Sequence, residues 1–237
     1  MTREQVYGRR PVREALRGRR QVLELWASER ALAAEPWLRD SPLKVQVKPD
    51  RELSEAAGTR DHQGIVEWTD PYKYADAWEL AGQEKPLLVC LDGVTDPHNL
   101  GAVCRSAEGA GATGVVVPAH GSAAVTPAVA KASAGAVEHL PVAVVHNLAR
   151  FLADIKGPDL WIYAAASGAG QTLWEVDFRG GVVLVLGSEG KGLRPLVRRT
   201  CDGEVSIPLG GQVESLNVSV AAALLLYEAR RQRGQPA

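Results

Sequence analysis

Ile207-Pro208-Leu209-Gly210-Gly211-Gln212-Val213-Glu214-Ser215-Leu216-Asn217-Val218-Ser219-Val220 decides how the chain is read. Val205 and Ile207 close an apolar strand, Pro208 and the glycine pair break it, and the apolar run Val218–Tyr227 follows as a helix. Ser215 and Asn217 stand at the mouth of that helix. There the first backbone N–H groups lack partners, and short polar side chains can join them around a polar ligand or a reacting sugar. Plain helix capping would use the same residue types, since Ser and Asn are favoured caps. Segments upstream separate the two readings.

Working back from this turn, strands and helices alternate from Pro86 onward. Apolar runs at Leu87–Leu91 and Val182–Leu186 read as strands buried on both faces, with further strands at Gly114–Val117, Val142–Val145, Trp161–Ala165 and Gly203–Ile207. Helices are predicted over Leu100–Gly109, Thr126–Ala134, Leu148–Ile155, Leu193–Arg199 and Leu216–Arg231. Repeated β-α units predict a mostly parallel α/β sheet with helices on both faces. Ligands of such sheets sit at the carboxyl ends of the strands.

Two more strand-to-helix loops carry polar groups at such ends. Asp92-Gly93-Val94-Thr95-Asp96-Pro97-His98-Asn99-Leu100-Gly101-Ala102-Val103-Cys104-Arg105 places Asn99 at a helix mouth and Arg105 near two turns further on. An arginine extended back along its helix reaches the same loop. Leu186-Gly187-Ser188-Glu189-Gly190-Lys191-Gly192-Leu193 sets Glu189 among three glycines that let the backbone approach a ligand closely. Two familiar nucleotide motifs fail their structural tests. Gly109–Gly114 matches G-x-G-x-x-G but closes a helix and precedes a strand, the reverse of a dinucleotide site. Gly187–Lys191 lacks the distant glycine and the Ser/Thr of a Walker loop, because Val185 and Gly192 stand there.

The first part of the chain is a smaller α/β module. Helices are predicted from Pro11 to about Arg17, over Ala31–Leu38 and over Arg51–Ala57; strands are predicted over Gln21–Trp26, Leu43–Val47 and Gln63–Trp68. Residues 1–68 thus form one domain, 69–85 a Pro- and Tyr-containing linker, and 86–237 a second domain. Net charge is only −1, yet residues 1–20 hold seven arginines against Glu4 and Glu14. A patch of that kind reads either as a phosphate-contact surface or as a solvated helix face.

At 237 residues, 46% hydrophobic and 23% charged, the composition is that of a globular protein with a substantial core. Its apolar runs are strand-sized and the start carries no apolar signal region, so a cytoplasmic protein without membrane contact is expected. Cys90, Cys104 and Cys201 have neither the spacing nor the histidine neighbours of a zinc site, and no metal is expected.

The ordered set D-G-V-x-D-P-x-N-x-G-A-x-x-R, L-G-S-E-G-x-G-L and I-P-x-x-G-x-x-x-S-L-N-V-S-V-A resembles the three motifs of the SpoU (TrmH-like) RNA 2′-O-ribose methyltransferases of the SPOUT superfamily. The match runs over about residues 86–233. The N-terminal module, with Tyr7-Gly8-Arg9-Arg10-Pro11-Val12 and His62-Gln63-Gly64-Ile65-Val66, looks like the ribosomal-protein-like RNA-binding domain of many members.

This resemblance implies a parallel sheet with a deep C-terminal trefoil knot, a homodimer with its active site at the subunit interface, and S-adenosylmethionine as cofactor. It places Gly187, Ile207 and Leu216 at the cofactor and Asn99, Arg105, Glu189, Ser215 and Asn217 at the catalytic positions. The N-terminal module points to the branch that methylates a guanosine of large-subunit (23S) rRNA. A tRNA guanosine, an rRNA adenosine, and a non-catalytic RNA-binding role on the same fold are the alternatives. Arg105 keeps its charge to about pH 12 or beyond and so is a poor base. The preferred role is stabilising the developing alkoxide and anchoring the adjacent phosphate, with Glu189 and Asn99 fixing its orientation. Arg9, Arg10, Arg13, Arg17, Arg19 and Arg20 are expected to contact RNA phosphates. DNA, which lacks the 2′-hydroxyl, is not expected as substrate.

Overall fold

The computed structural model describes residues 3–234; residues 1–2 and 235–237, at the outer ends of the two expected domains, lie outside the described residues. The chain begins with β1 (Glu4–Tyr7), α1 (Arg9–Ala15), β2 (Val22–Ala27), α2 (Glu29–Ala34), β3 (Gln46–Val47), α3 (Asp50–Ala57) and β4 (Ile65–Thr69). These strands form a sheet in the order β1-β4-β2-β3. β1 was not foreseen, because only Val6 of its four residues is buried and no alternation stands out. The helix expected over Ala31–Leu38 starts instead behind the Ser28 cap, whose side chain accepts from Ala31 N–H, and stops before Pro36. A residue ahead of proline is pushed to extended backbone, and Glu35 adopts φ −118°.

The larger sheet is built from β5 (Leu87–Asp92), β6 (Gly114–Pro118), β7 (Val142–Val145), β8 (Leu160–Ala165), β9 (Gly181–Gly187) and β10 (Gly203–Val205). All its pairings are parallel, in the order β10-β8-β9-β5-β6-β7. Its helices are α4 (Ala77–Ala81), α5 (Pro97–Ala110), α6 (Pro127–Ala132), α7 (Leu148–Asp154), α8 (Pro195–Thr200) and α9 (Val218–Gln232). Side chains of β5 alternate between two cores. Leu87, Val89 and Leu91 meet α5 and α9, whereas Leu88 and Cys90 meet α4, α7 and α8. β10 is shorter than expected, because Ser206 bonds to the 171–173 segment instead of continuing the ladder.

Residues 69–85 are an integral part of the fold. Ala75 N–H donates to Val142 O at 2.9 Å, and α4, capped by Asp76, buries Ala77 and Leu80 against the sheet. The first core also continues into the N-terminal module through Val6, Val12, Leu25 and Ile65. Polar contacts seal the same junction. Arg20 Nε donates to Glu138 at 2.9 Å, His139 meets Glu14 at 2.9 Å, and a Cβ at Gly135 would stand 2.6 Å from that of Glu14.

Candidate active site

In the large sheet β5 and β9 are neighbours, and Asp92 pairs in register with Gly187. The loops that follow these strands therefore leave the sheet side by side. Asp92 is fully buried and binds Arg194 twice, through the backbone N–H at 2.8 Å and Nε at 2.7 Å. That ties the end of β5 to the chain leaving the second loop. Asp92 received no role from the sequence, although it is the first residue of its motif; its partner becomes visible only through the strand register.

The third segment arrives from β10 at the sheet's margin. It is fastened on the way by a bond from Ser167 Oγ to Glu214 O at 3.2 Å, and it ends at Asn217, the cap of α9. Three of the five expected catalytic residues meet here. Asn217 Nδ2 donates to Asn99 Oδ1 at 2.9 Å and to Glu189 Oε1 at 2.6 Å. Asn99 Nδ2 donates to the same carboxylate oxygen at 3.3 Å. Asn217 Oδ1 accepts from Ser219 N–H at 2.8 Å and from Ser219 Oγ at 2.6 Å, which fixes the amide's orientation. Asn217 is thus both a helix cap and a member of a polar cluster, so the two readings of its segment hold together. Ser219 is a further member of the site, and its position two residues after a capping Asn is the signal that could have found it.

Arg105 stands apart. Its side chain is exposed and has no hydrogen bond or ion pair among the described residues. Asn99 and Glu189 orient Asn217, and the expectation that they would hold Arg105 is corrected. The helix that carries it begins at Pro97 rather than Leu100, because Asp96 caps it and Pro97 takes the first helical position.

Beside the cluster opens a cavity of about 560 Å³, within the range of small-molecule sites. Gly187, Ile207 and Leu216, the expected cofactor contacts, line it, as do Glu189 and Ser215. Its walls alternate apolar side chains such as Leu186 and Val218 with the backbone of the 187–192 loop. A Cβ on Gly187 would lie 2.2 Å from the carbonyl carbon of Gly192. The loop closes back on itself there, with Gly192 N–H donating to Ser188 O at 2.9 Å.

Among the arginines of the N-terminal patch, Arg10 and Arg13 are exposed and without a partner among the described residues. Arg9 pairs with Glu35 at 3.1 Å, Arg17 with Glu14 at 3.5 Å, and Arg19 donates to His139 O at 3.1 Å. Arg20 is different. Its side chain is only 7% exposed, clasps Glu138 with two nitrogens, and reaches Glu4 at 3.2 Å. It joins the domains and is spent as a phosphate contact, because both carboxylates already hold it.

A parallel sheet with a cavity and an amide–carboxylate cluster at its carboxyl edge, carrying a small α/β module in front, defines a cofactor-using α/β enzyme with an attached substrate-binding unit. Comparison with known proteins makes this specific. The model of the SpoU rRNA Methylase family matches residues 86–227, and a model described as RNA 2′-O ribose methyltransferase substrate binding matches residues 5–75. A 23S rRNA (guanosine-2′-O-)-methyltransferase RlmB of Pseudomonas putida is 40% identical over 250 residues, covering 97% of this chain and 97% of the relative. The RlmB of Xanthomonas campestris pv. campestris is 49% identical over 189 residues, 76% of this chain and 75% of the relative. The crystal structure of the SpoU methyltransferase AviRb from Streptomyces viridochromogenes, in complex with the cofactor AdoMet, superposes with a TM-score of 0.82 at 27% identity, covering 98% of this chain and 90% of that one. The chain belongs to the SpoU rRNA methylase family.

Proposed function

We infer that this protein transfers a methyl group from S-adenosylmethionine to the ribose 2′-hydroxyl of RNA, with a guanosine of 23S rRNA as the target. One observation carries the reading. The Asn99–Glu189–Asn217 cluster stands at the mouth of a cavity lined by Gly187, Ile207 and Leu216, on the carboxyl ends of neighbouring parallel strands. The cavity suits the cofactor. Its apolar walls match an adenine ring, and the close-packed backbone at Gly187–Gly192 offers polar groups without side-chain bulk.

Bound S-adenosylmethionine supplies an electrophilic methyl group on a sulfonium. The protein's own residues have to hold the ribose in line with it and handle the hydroxyl proton. Orientation of this kind contributes on the order of 7–11 kcal/mol where a near-attack geometry is kept. Asn99, Glu189 and Asn217 supply the rigid part, and Ser215 adds a hydroxyl at the rim. Both amides donate to Oε1 of Glu189, which leaves Oε2 without a partner among the described residues and open to a ribose hydroxyl. Arg105, exposed and unpaired among the described residues, is proposed as the cation for the developing alkoxide and its neighbouring phosphate, reaching them once RNA is bound.

The proposed assembly is a homodimer with the active site at its interface. An apolar stripe on α9, made by Val220, Leu224 and Tyr227, supports it. A deep trefoil knot is part of the proposal; in its favour, α9 follows the edge strand β10 in the chain yet packs on α5 and β9 further into the sheet. The proposed domain division is 1–68 and 86–237, with 69–85 as a structured connection whose helix α4 packs on the second domain's sheet, and RNA is proposed to contact Arg9, Arg10, Arg13, Arg17 and Arg19. No helix among the described residues is long and apolar enough to cross a membrane, and a cytoplasmic site of action is proposed.

The test is transfer of labelled methyl to bulk tRNA, free 23S rRNA and free small-subunit rRNA, followed by mapping of the 2′-O-methyl position. Label at a guanosine of 23S rRNA is expected. Label confined to tRNA would overturn the substrate, and absence of label from free RNA and from assembled large subunits alike would overturn the activity.

A further inference from the structure

A second cavity, of about 630 Å³, lies wholly within the N-terminal module. Its floor is Ser28, Ala31, His62 and Gly64, and its rim carries Arg9, Arg30, Arg51 and Arg60 against the single carboxylate of Asp50. Arg9 gives one nitrogen to Glu35 at 3.1 Å, and Arg51 gives Nε to Glu55 at 2.9 Å while its side chain stays 89% exposed. Arg9 Nε is buried and has no hydrogen-bond partner among the described residues. Arg30 and Arg60 are exposed and unpaired among the described residues. Four guanidinium groups thus face one concavity with most of their donors uncommitted.

The floor is stiff. Gln63 adopts φ 55°, a left-handed conformation unusual for a residue with a side chain, and its Oε1 accepts from Arg9 N–H at 3.0 Å. A Cβ on Gly64 would come within 2.6 Å of Ser28 Oγ, so glycine is required there. His62 Nδ1 accepts from Gly64 N–H at 3.0 Å, which fixes the neutral tautomer, with Nε2 against Ser54 Oγ at 2.9 Å. Burial also lowers its pKa, so the positive charges lining the cavity are those of the arginines. Strained backbone held by dedicated contacts is a mark of functional sites.

We propose that this cavity is a phosphodiester-binding subsite for the substrate RNA, gripped by Arg30 and Arg60 together with Arg9 and Arg51. Guanidinium forks match phosphate oxygens bidentately. The floor offers no aromatic face on which a base could stack, which favours the backbone of the RNA over its bases. The loop next to the cavity is anchored to the catalytic domain, since Lys131 Nζ hydrogen-bonds Asp61 O. RNA held here is therefore held at a fixed place relative to the methyl-transfer centre. The inference rests on RNA being the substrate, and it moves the phosphate grip beyond the arginines of residues 1–20 to positions 30, 51 and 60.

The experiment uses the full chain, a labelled 23S rRNA transcript and fluorescence anisotropy across a salt series. The doubly substituted protein Arg30→Ala/Arg60→Ala is compared with wild type and with Arg150→Ala, which removes an exposed charge, paired with Asp154, from α7. The double variant is expected to bind about tenfold more weakly and to lose about two from its salt slope, roughly one per phosphate contact. KM for RNA should rise while kcat and cofactor affinity by calorimetry stay at wild-type values. Arg30→Lys/Arg60→Lys, keeping charge without the fork, should regain part of the affinity. An affinity and salt slope equal to those of Arg150→Ala would overturn the subsite, whatever the activity. Loss of RNA affinity in the double variant, beside a wild type that transfers no methyl, would sink the activity and leave the subsite standing.

Discussion

Gly187 is the position at which the cofactor loop has least freedom. Any side chain there must displace the Gly192 carbonyl group, 2.2 Å from the Cβ position, and with it the wall of the cavity. Overpacking of this kind costs about 1–3 kcal/mol. Gly187→Ala is expected to weaken cofactor binding by tenfold or more in calorimetry; unchanged binding would mean that the loop yields without cost. Asn217 sets a different test. Its amide supplies Glu189 with its shortest hydrogen bond and also caps α9 through Ser219 N–H. Asn217→Ala should lower single-turnover methyl transfer by about 100-fold, the scale of a misplaced reacting group. Loss of the cap should also cost about 1 kcal/mol of stability. Asn217→Asp would keep the cap but set a second carboxylate against Glu189, so it should recover part of the stability and none of the rate. Recovery of the rate by Asp would show that orientation by the amide donor does not matter. Residue types were largely legible here, because Asn99, Glu189 and Asn217 each lie between the end of a strand and the first turn of the next helix. Their mutual bonds were not, since these depend on which strands lie side by side.

Elements were legible where one physical signal dominated. β5 and β9 are unbroken apolar runs and were placed within a residue or two, as burial on both faces requires. Weak or competing signals misled. β1 alternates too little, β3 is two residues long, and α4 is a single short turn of helix inside an apparent linker. The Asp76 cap, which accepts from Trp78 and Glu79 N–H, was the overlooked sign of α4. α9 is apolar on more than one side, and its outward residues Val220, Leu224 and Tyr227 recur at helical spacing with exposures of 46%, 43% and 52%. An apolar stripe of that kind is expected to bury against a second copy in the proposed homodimer. Leu224→Glu would set a charge in that interface, and sedimentation should then report a monomer where wild type is a dimer. Equal masses for the two proteins would remove α9 from the interface.

At the scale of the whole molecule, the two domains share one apolar core and a buried ionic seam, and the seam was invisible in the sequence. Arg20 belongs by sequence to an arginine-rich segment that looks like an RNA surface. Its partner Glu138 lies far along the chain, so only the docking of the domains reveals why that charge is buried. Glu67 lies in the same seam, fully buried, with neither carboxylate oxygen hydrogen-bonded among the described residues. Burial, and secondarily the charge of Glu138, push its pKa up to about 9, with Arg20 acting in the opposite direction. The folded protein therefore holds a proton that the unfolded chain, with a carboxyl near its ordinary 4.5, releases at neutral pH. The sign follows from linkage: the native state binds more protons, so stability falls as pH rises. The contribution is whole below about pH 4.5, shrinks through neutrality, and is lost once the pH passes about 9. At pH 7 the cost of keeping Glu67 protonated is about 3 kcal/mol, taken at 1.36 kcal/mol for each of the roughly 2.5 pH units above the unfolded value. Glu67→Gln keeps the shape of the neutral acid and has no proton to lose. It should be more stable than wild type by about that amount at pH 7 and equal to it near pH 4, measured as denaturant midpoints across a pH series. A constant difference between the two proteins at every pH would mean that Glu67 has the same pKa in the folded and the unfolded chain, and that burial does not hold its proton.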